Sequence, residues 1–274
     1  MVDVMCNRRG GLILPFLLLF FSIGAYAQMN ISGKPGLIYI PSAWAAEESS
    51  FSFGYKYNPV HYAFRQNRRR SESIYHVNLA FLPRLEINLN LLRMNGDLRV
   101  QDRGIGDRQL DIKYLLLKET SYRPALSIIL SAPFGIDNSF SSNAIVASKT
   151  IPLLPSFYAD VTVGYGSPYY ILREESEKTN FDIFSNLQLR KKKELRYRYL
   201  SGPLAGLNVR YGKKGGLLVE WDSQHLNLGA YAMLWKRWTM QAALLNGDQV
   251  TFGTSYIIDL TPLPKRLRTS DETK

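Results

Sequence analysis

Leu85-Glu86-Ile87-Asn88-Leu89-Asn90-Leu91-Leu92-Arg93-Met94 decides the fold. Leu85, Ile87, Leu89 and Leu91 fall on one side of an extended chain and Glu86, Asn88 and Asn90 on the other, a period of two and not of 3.6. The run before it behaves the same way, with Tyr75, Val77, Leu79 and Phe81 alternating against His76, Asn78 and Ala80, and only Leu82-Pro83-Arg84 between the two. Two alternating runs joined so tightly make a hairpin.

The pattern continues along the chain. Leu110, Ile112, Tyr114 and Leu116 share a face, as do Leu126, Ile128 and Leu130. Further runs lie at Phe51–Tyr57, Asn143–Thr150, Phe157–Gly166, Leu204–Gly212, Leu217–Asp222, His225–Leu234, Trp238–Leu245 and Gln249–Ile258. The expectation is an all-β, antiparallel barrel of about 12 strands, within a range of 10–14. Asn180–Arg190 and Glu194–Leu200 are the candidates for a thirteenth and fourteenth strand.

Two architectures bury such faces: a soluble sandwich and a transmembrane barrel. The polar faces carry Asn, Ser, Thr and Gly with scattered charges, which suits a crowded polar lumen better than bulk water. Connection lengths also alternate. Residues 58–74, 95–108, 133–142 and 167–203 form long links separated by short ones, the asymmetry of outer-membrane barrels. Aromatic residues near strand ends, among them Tyr75, Phe81, Phe157, Tyr165 and Trp221, suit interfacial girdles.

The expected organisation is a signal peptide at 1–27, a periplasmic or plug-like segment at 28–50, a barrel at 51–258 and a polar tail at 259–274. Arg8 and Arg9, an apolar run from Leu12 to Ile23, and Ala25 and Ala27 carry the leader reading, with cleavage after Ala27. An export signal directs the chain to the cell envelope, and the expected location is the bacterial outer membrane. The net charge of +11 admits acidic polymers, anionic lipid and nucleic acid alike, and export removes the last. Cys6, the only cysteine, sits in the leader, so a mature chain lacks disulfides, thiolate metal ligands and a cysteine nucleophile.

Chemical motifs are sparse. His61, His76 and His225 lack the close spacing of a metal-binding pair, and Gly212–Gly216 with Lys213 and Lys214 lies between strands, where it is a turn and not a phosphate loop. No cofactor is expected. The candidate glycan or lipopolysaccharide contacts are Arg65, Arg68, Arg69, Arg70, Arg190, Lys191, Lys192 and Lys193. Alternation turns Asn78, Glu86, Asn88, Asn90, Asp111, Lys113, Asp160, Glu220 and Asp222 inward, and Asp107, Asp111 and Lys113 suit a salt-bridged network fixing the wall.

Several phrases carry a family resemblance. They are Gly36-Leu37-Ile38 with Pro41-Ser42-Ala43, Asp107 through Lys113, Pro124-Ala125-Leu126, Phe134-Gly135, Phe140-Ser141-Ser142, Val146-Ala147-Ser148-Lys149 and Val163-Gly164-Tyr165-Gly166. In that order they resemble the YjbH-like exopolysaccharide proteins of the bacterial outer membrane. Gly202-Pro203, Gly206-Leu207 and Val219-Glu220-Trp221-Asp222 resemble a later block, extending the likeness from about Gly33 to about Tyr256. The resemblance implies a non-enzymatic barrel that assists secretion or assembly of an exopolysaccharide or capsule. Its partners would be outer-membrane lipids and lipopolysaccharide, anionic polysaccharide and other envelope secretion proteins. The competing readings are a general porin, a surface adhesin, and an outer-membrane lipid or glycan hydrolase built on His76, Ser223 and His225.

Overall fold

The computed structural model describes residues 28–65, 70–96, 106–133, 139–173 and 187–260. Twelve antiparallel strands close into a barrel: β1 (Ser50–Asn58), β2 (Glu72–Leu82), β3 (Leu85–Met94), β4 (Asp107–Leu117), β5 (Ala125–Ser131), β6 (Ala144–Leu154), β7 (Phe157–Gly166), β10 (Gly202–Tyr211), β11 (Gly215–Trp221), β12 (Leu226–Leu234), β13 (Trp238–Leu245) and β14 (Gln249–Asp259). Neighbours in sequence are neighbours in the wall, and the ring shuts where β1 pairs with β14, from Ser50 opposite Asp259 to Tyr57 opposite Phe252. Closure leaves no unpaired edge in the barrel sheet.

β8 (Tyr169–Arg173) and β9 (Leu187–Lys191) pair only with each other, in a two-stranded sheet outside the barrel. This corrects the reading of Asn180–Arg190 and Glu194–Leu200 as further wall strands. Among the described residues the second segment forms a single 3-10 turn, Lys192–Glu194, and then irregular chain. The last strand also runs further than expected, because Asp259 pairs with Ser50 and belongs to the wall. The leader and the tail beyond Leu260 lie outside the described residues.

The distribution of side chains inverts that of a soluble protein. On β3, Glu86, Asn88 and Asn90 are buried while Leu89 is 48% exposed. Leu130, Val163 and Val250 are likewise about half exposed, at 54%, 51% and 55%, whereas the inward-facing neighbours Ser127, Thr162 and Thr251 are buried. Period-two alternation therefore puts the apolar face outside and the polar face in the lumen. Outward aromatic pairs bridge adjacent strands, including Tyr57 stacked on Phe252 at 5.1 Å and Phe157 beside Tyr211 at 5.0 Å.

The strands meet in two kinds of connection. At one end, short turns join β2 to β3, β4 to β5, β6 to β7, β10 to β11 and β12 to β13. At the other end lie the long links, with the short connections 222–225 and 246–248 among them, and Tyr62, Phe64, Phe140, Tyr197 and Tyr199 of the long links turn inward to join the buried core.

Candidate functional site

Much of the lumen is filled. Residues 28–46 lie inside the wall as an irregular loop held by two isolated bridges, Met29 with Pro35 and Gly36 with Pro41. Asn30 organises its first turn, its Oδ1 accepting from the Ser32 and Lys34 backbone N–H groups at 3.1 and 3.0 Å. Gly33 sits there at φ +69°, and a Cβ on it would come within 2.4 Å of the His76 ring, so glycine answers both the left-handed backbone and the close approach.

An irregular segment leaves backbone groups unpaired, and in a closed barrel they must find partners on the wall. Glu220 of β11 supplies the largest share. Its carboxylate accepts the N–H groups of Ile38 at 2.9 Å, Tyr39 at 2.7 Å and Ile40 at 3.2 Å, and also Asn227 Nδ2 at 3.1 Å. Glu86 accepts the Ala46 N–H at 2.9 Å and pairs with Lys113 at 3.0 Å. Lys113 reaches on to the Trp44 carbonyl. Asp111 pairs with Lys34 of the plug and accepts Ser142 Oγ at 2.9 Å. Lys56 donates to the Met29 carbonyl at 2.9 Å, Gln241 to the Leu37 carbonyl at 3.0 Å, and Asn88 to the Gly33 carbonyl at 3.1 Å. Ser148 Oγ accepts the Ala43 N–H at 2.8 Å. Asp111 and Lys113 thus grip the plug as well as the wall; Asp107 is buried nearby at the start of β4.

All nine inward candidates, Asn78, Glu86, Asn88, Asn90, Asp111, Lys113, Asp160, Glu220 and Asp222, are buried within the barrel. They separate into three groups. Asn78, Glu86, Asn88, Asn90, Asp111, Lys113 and Glu220 belong to the network that touches the plug. Asp222 holds the long-link end, accepting Tyr197 OH at 2.6 Å and the His225 N–H at 2.8 Å. Burial, with Asp222 alongside, pushes the Tyr197 phenol well above its usual range, so it stays a donor.

That end is closed by rings that periodicity does not reveal. Tyr39, Tyr62, Phe64, Phe140, Tyr197 and Tyr199 converge, with Phe64 and Phe140 centroids 4.5 Å apart and Phe140 stacked on Tyr199 at 4.9 Å. Tyr62 and Phe64 come from the β1–β2 link, Phe140 from the β5–β6 link, and Tyr197 and Tyr199 from the link before β10.

Asp160 belongs to a third site. Its carboxylate accepts Arg210 Nε at 2.7 Å, Asn208 Nδ2 at 3.2 Å and Thr150 Oγ1 at 2.9 Å. The Arg210 guanidinium lies 4.4 Å from the Tyr158 ring centroid. These residues line a cavity of about 1000 Å³ at the short-turn end, between the plug and strands β6, β7, β10 and β12. Trp44 of the plug forms part of its wall, its indole N–H donating to Glu119 Oε2 at 2.7 Å. Trp44, Asn208, Arg210 and Tyr231 are absent from the candidates named by sequence; a period-two reading of β10 and β12 could have supplied the last three.

The basic candidates scatter. Lys192 is a correction: it is fully buried, its Nζ donating to the carbonyls of Ser141 at 2.9 Å and Tyr199 at 2.7 Å, so it clasps two links together and offers nothing to a surface ligand. Burial lowers its ammonium to about 7. Lys191 and Lys193 are exposed, and Arg190 lies 4.0 Å from Glu194. Arg65 donates its backbone N–H to Glu72 at 2.9 Å, Arg70 lies beside Gly96, and Arg68 and Arg69 fall outside the described residues.

Of the hydrolase candidates, His225 packs its ring on Tyr62 and Tyr197 at 5.1 and 5.8 Å, with its Nδ1 3.8 Å from Asp222. His76 is sealed between Gly33 and Gly54, and neither of its ring nitrogens has a hydrogen-bond partner. Ser223 Oγ instead accepts the Ser201 N–H at 3.3 Å. Among the described residues no cluster of side chains is arranged to hold a metal.

The molecule is thus a closed 12-stranded barrel with an apolar exterior and a plugged polar lumen. The family model for the exopolysaccharide biosynthesis protein YbjH matches residues 28–196, more than half of the chain, and the protein belongs to this YjbH family. The matched stretch covers the plug, wall strands β1 to β7 and the separate β8–β9 sheet, and stops short of the Gly202–Asp222 block. No curated protein sequence matches the chain. Among solved structures, an outer membrane channel from Pseudomonas putida F1 aligns with a TM-score of 0.42 and 10% identity, over 80% of this chain and 98% of that one.

Proposed function

We propose that this protein is a non-enzymatic barrel of the bacterial outer membrane that assists secretion or assembly of an exopolysaccharide or capsule. The observation that carries the membrane reading is the inverted wall. Side chains such as Leu89, Leu130, Val163 and Val250 stand half exposed around the barrel, and burying a Leu or Val side chain is worth about 1.5–3 kcal/mol, which a lipid surround recovers and water does not. Aromatic residues at strand ends, Tyr165, Phe157 and Trp221 among them, suit the membrane interface. Family membership supports the polysaccharide role.

In this reading the short turns face the periplasm and the long links the exterior. Arg65, Arg68, Arg69, Arg70, Arg190, Lys191 and Lys193 then meet lipopolysaccharide or anionic glycan, and other envelope secretion proteins share the task. A constantly open diffusion pore does not accord with residues 28–46 filling the lumen. The test joins two measurements. Heat-modifiable gel migration of the outer-membrane fraction should show a compact unheated form, and gene deletion should lower surface polysaccharide. A soluble periplasmic protein with unchanged polysaccharide after deletion would overturn the proposal.

A further inference from the structure

The cavity at the short-turn end has a composition that plug-holding does not explain. The plug occupies the lumen through Glu220, Glu86, Asp111, Lys56 and Gln241, none of which lines this cavity. Instead the cavity is bordered by a tryptophan, tyrosines and an organised polar cluster. Arg210 is fixed at three points: Nε on Asp160 at 2.7 Å, Nη1 on the Gly212 carbonyl at 3.0 Å, and the guanidinium face on Tyr158. Its Nη2 has no hydrogen-bond partner among the described residues. Tyr231 OH receives only Asn208 Nδ2, at 3.3 Å, which leaves its own proton to give. Holding a cation this firmly while leaving donors unspent is how a site is prepared for oxygen-rich ligands.

We infer that this cavity is a glycan-binding vestibule that holds a few sugar residues of a chain approaching from the short-turn side. A sugar ring presents apolar C–H faces to aromatic rings and hydroxyl edges to planar polar groups, and Trp44 and Tyr231 supply the former while Arg210, Asp160 and Asn208 supply the latter. A lipid tail would have to desolvate Glu119, Lys149, Asp160 and Arg210, which makes it a poor occupant. The volume of about 1000 Å³ lies at the upper end of the ~300–1,000 Å³ of small-molecule sites, enough for an oligosaccharide segment. Trp44 belongs to the plug, so a sugar in the vestibule would touch the segment that occupies the lumen.

The inference takes its ligand class from the export reading above, and its test is separate. The full chain, purified in detergent, is titrated with maltohexaose and with hexagalacturonate while tryptophan fluorescence is recorded. Of the four tryptophans, Trp221, Trp235 and Trp238 lie on the outer face and Trp44 lines the cavity. A saturable change with either sugar, lost in Trp44→Phe and weakened at least tenfold in Arg210→Met and in the conservative Tyr231→Phe, is the expected result. Heat-modifiable migration shows that each variant remains a closed barrel. Absence of saturable change with both sugars, or binding indifferent to Arg210→Met and Tyr231→Phe in folded variants, would overturn the vestibule. Polysaccharide loss on deletion without sugar binding would sink this inference and leave the export role standing; sugar binding without a deletion phenotype would do the reverse.

Discussion

Replacing Glu220 should release the plug without opening the wall. Three consecutive backbone N–H groups, those of Ile38, Tyr39 and Ile40, depend on this one carboxylate. Leucine, of similar size, leaves all three without an acceptor. Each orphaned buried donor costs about 1–3 kcal/mol, and water entering from the vestibule favours the lower figure, so Glu220→Leu should weaken plug docking by ~3 kcal/mol. At 1.4 kcal/mol per decade that raises the undocked fraction by about 10². Glu220→Gln keeps one acceptor oxygen and, at the same lower figure for each orphaned donor, should cost ~1.4 kcal/mol, about tenfold. The assay is maleimide labelling of Ala43→Cys in a Cys6→Ser background, since Ala43 is fully buried in the docked plug and Cys6 is the only native cysteine. Labelling should quicken in the order wild type, Gln, Leu, while heat-modifiable migration stays unchanged. Equal labelling rates in all three proteins would show that the Glu220 contacts do not hold the plug, and the argument from unsatisfied donors would fail.

Other contacts lead to further measurements. Lys34→Met alone strands the Asp111 carboxylate and should cost about 3–5 kcal/mol in plug docking, and the double variant Lys34→Met/Asp111→Leu should recover much of it in the same labelling assay. Gly33→Ala places a methyl 2.4 Å from the His76 ring and 2.5 Å from its Cβ at φ +69° and should undock the first turn of the plug; adding His76→Gly, which removes ring and Cβ together, should relieve the clash and leave the plug with only the backbone strain of ~1–2 kcal/mol. The link before β10 should tighten as pH rises from about 7, because burial lowers Lys192 to about 7 while an unfolded lysine titrates near ~10.4. Between those values the undocked link binds the extra proton, so stability grows with pH and is lost as pH falls towards 7. Hydrogen exchange of residues 195–201 in wild type and Lys192→Met would check this, the variant losing the pH slope.

What the sequence discloses and what it hides follow from the same physics. A wall strand must satisfy two different solvents on alternate residues, so β3 spells its role in Leu85, Glu86, Ile87, Asn88 and Leu89 without help from the rest of the chain. Alternation reports which face is apolar, and it is silent about hydrogen-bond partners. Leu195, Tyr197 and Tyr199 alternate with Arg196 and Arg198 as cleanly as any strand, yet they descend into the aromatic cap and pair with no neighbour in the wall. The same alternation runs through the lysines, burying Lys192 between exposed Lys191 and Lys193, so a run that looks like a uniform charged surface contains one internal clasp. The plug's contacts are less legible still. Residues 28–46 have no period because their backbone is satisfied by side chains far along the chain, Ile38 by Glu220 and Lys34 by Asp111. Wall carboxylates of this kind read from sequence as ordinary lumen polarity. Their distinguishing mark is that Glu220, Glu86 and Asp111 are each buried with their oxygens engaged by the plug, whereas Asp160 spends its oxygens on Arg210, Asn208 and Thr150 and borders the cavity beside them. That division of the lumen carboxylates, between holding a segment of the chain and shaping a space beside it, separates the site of closure from the site of binding.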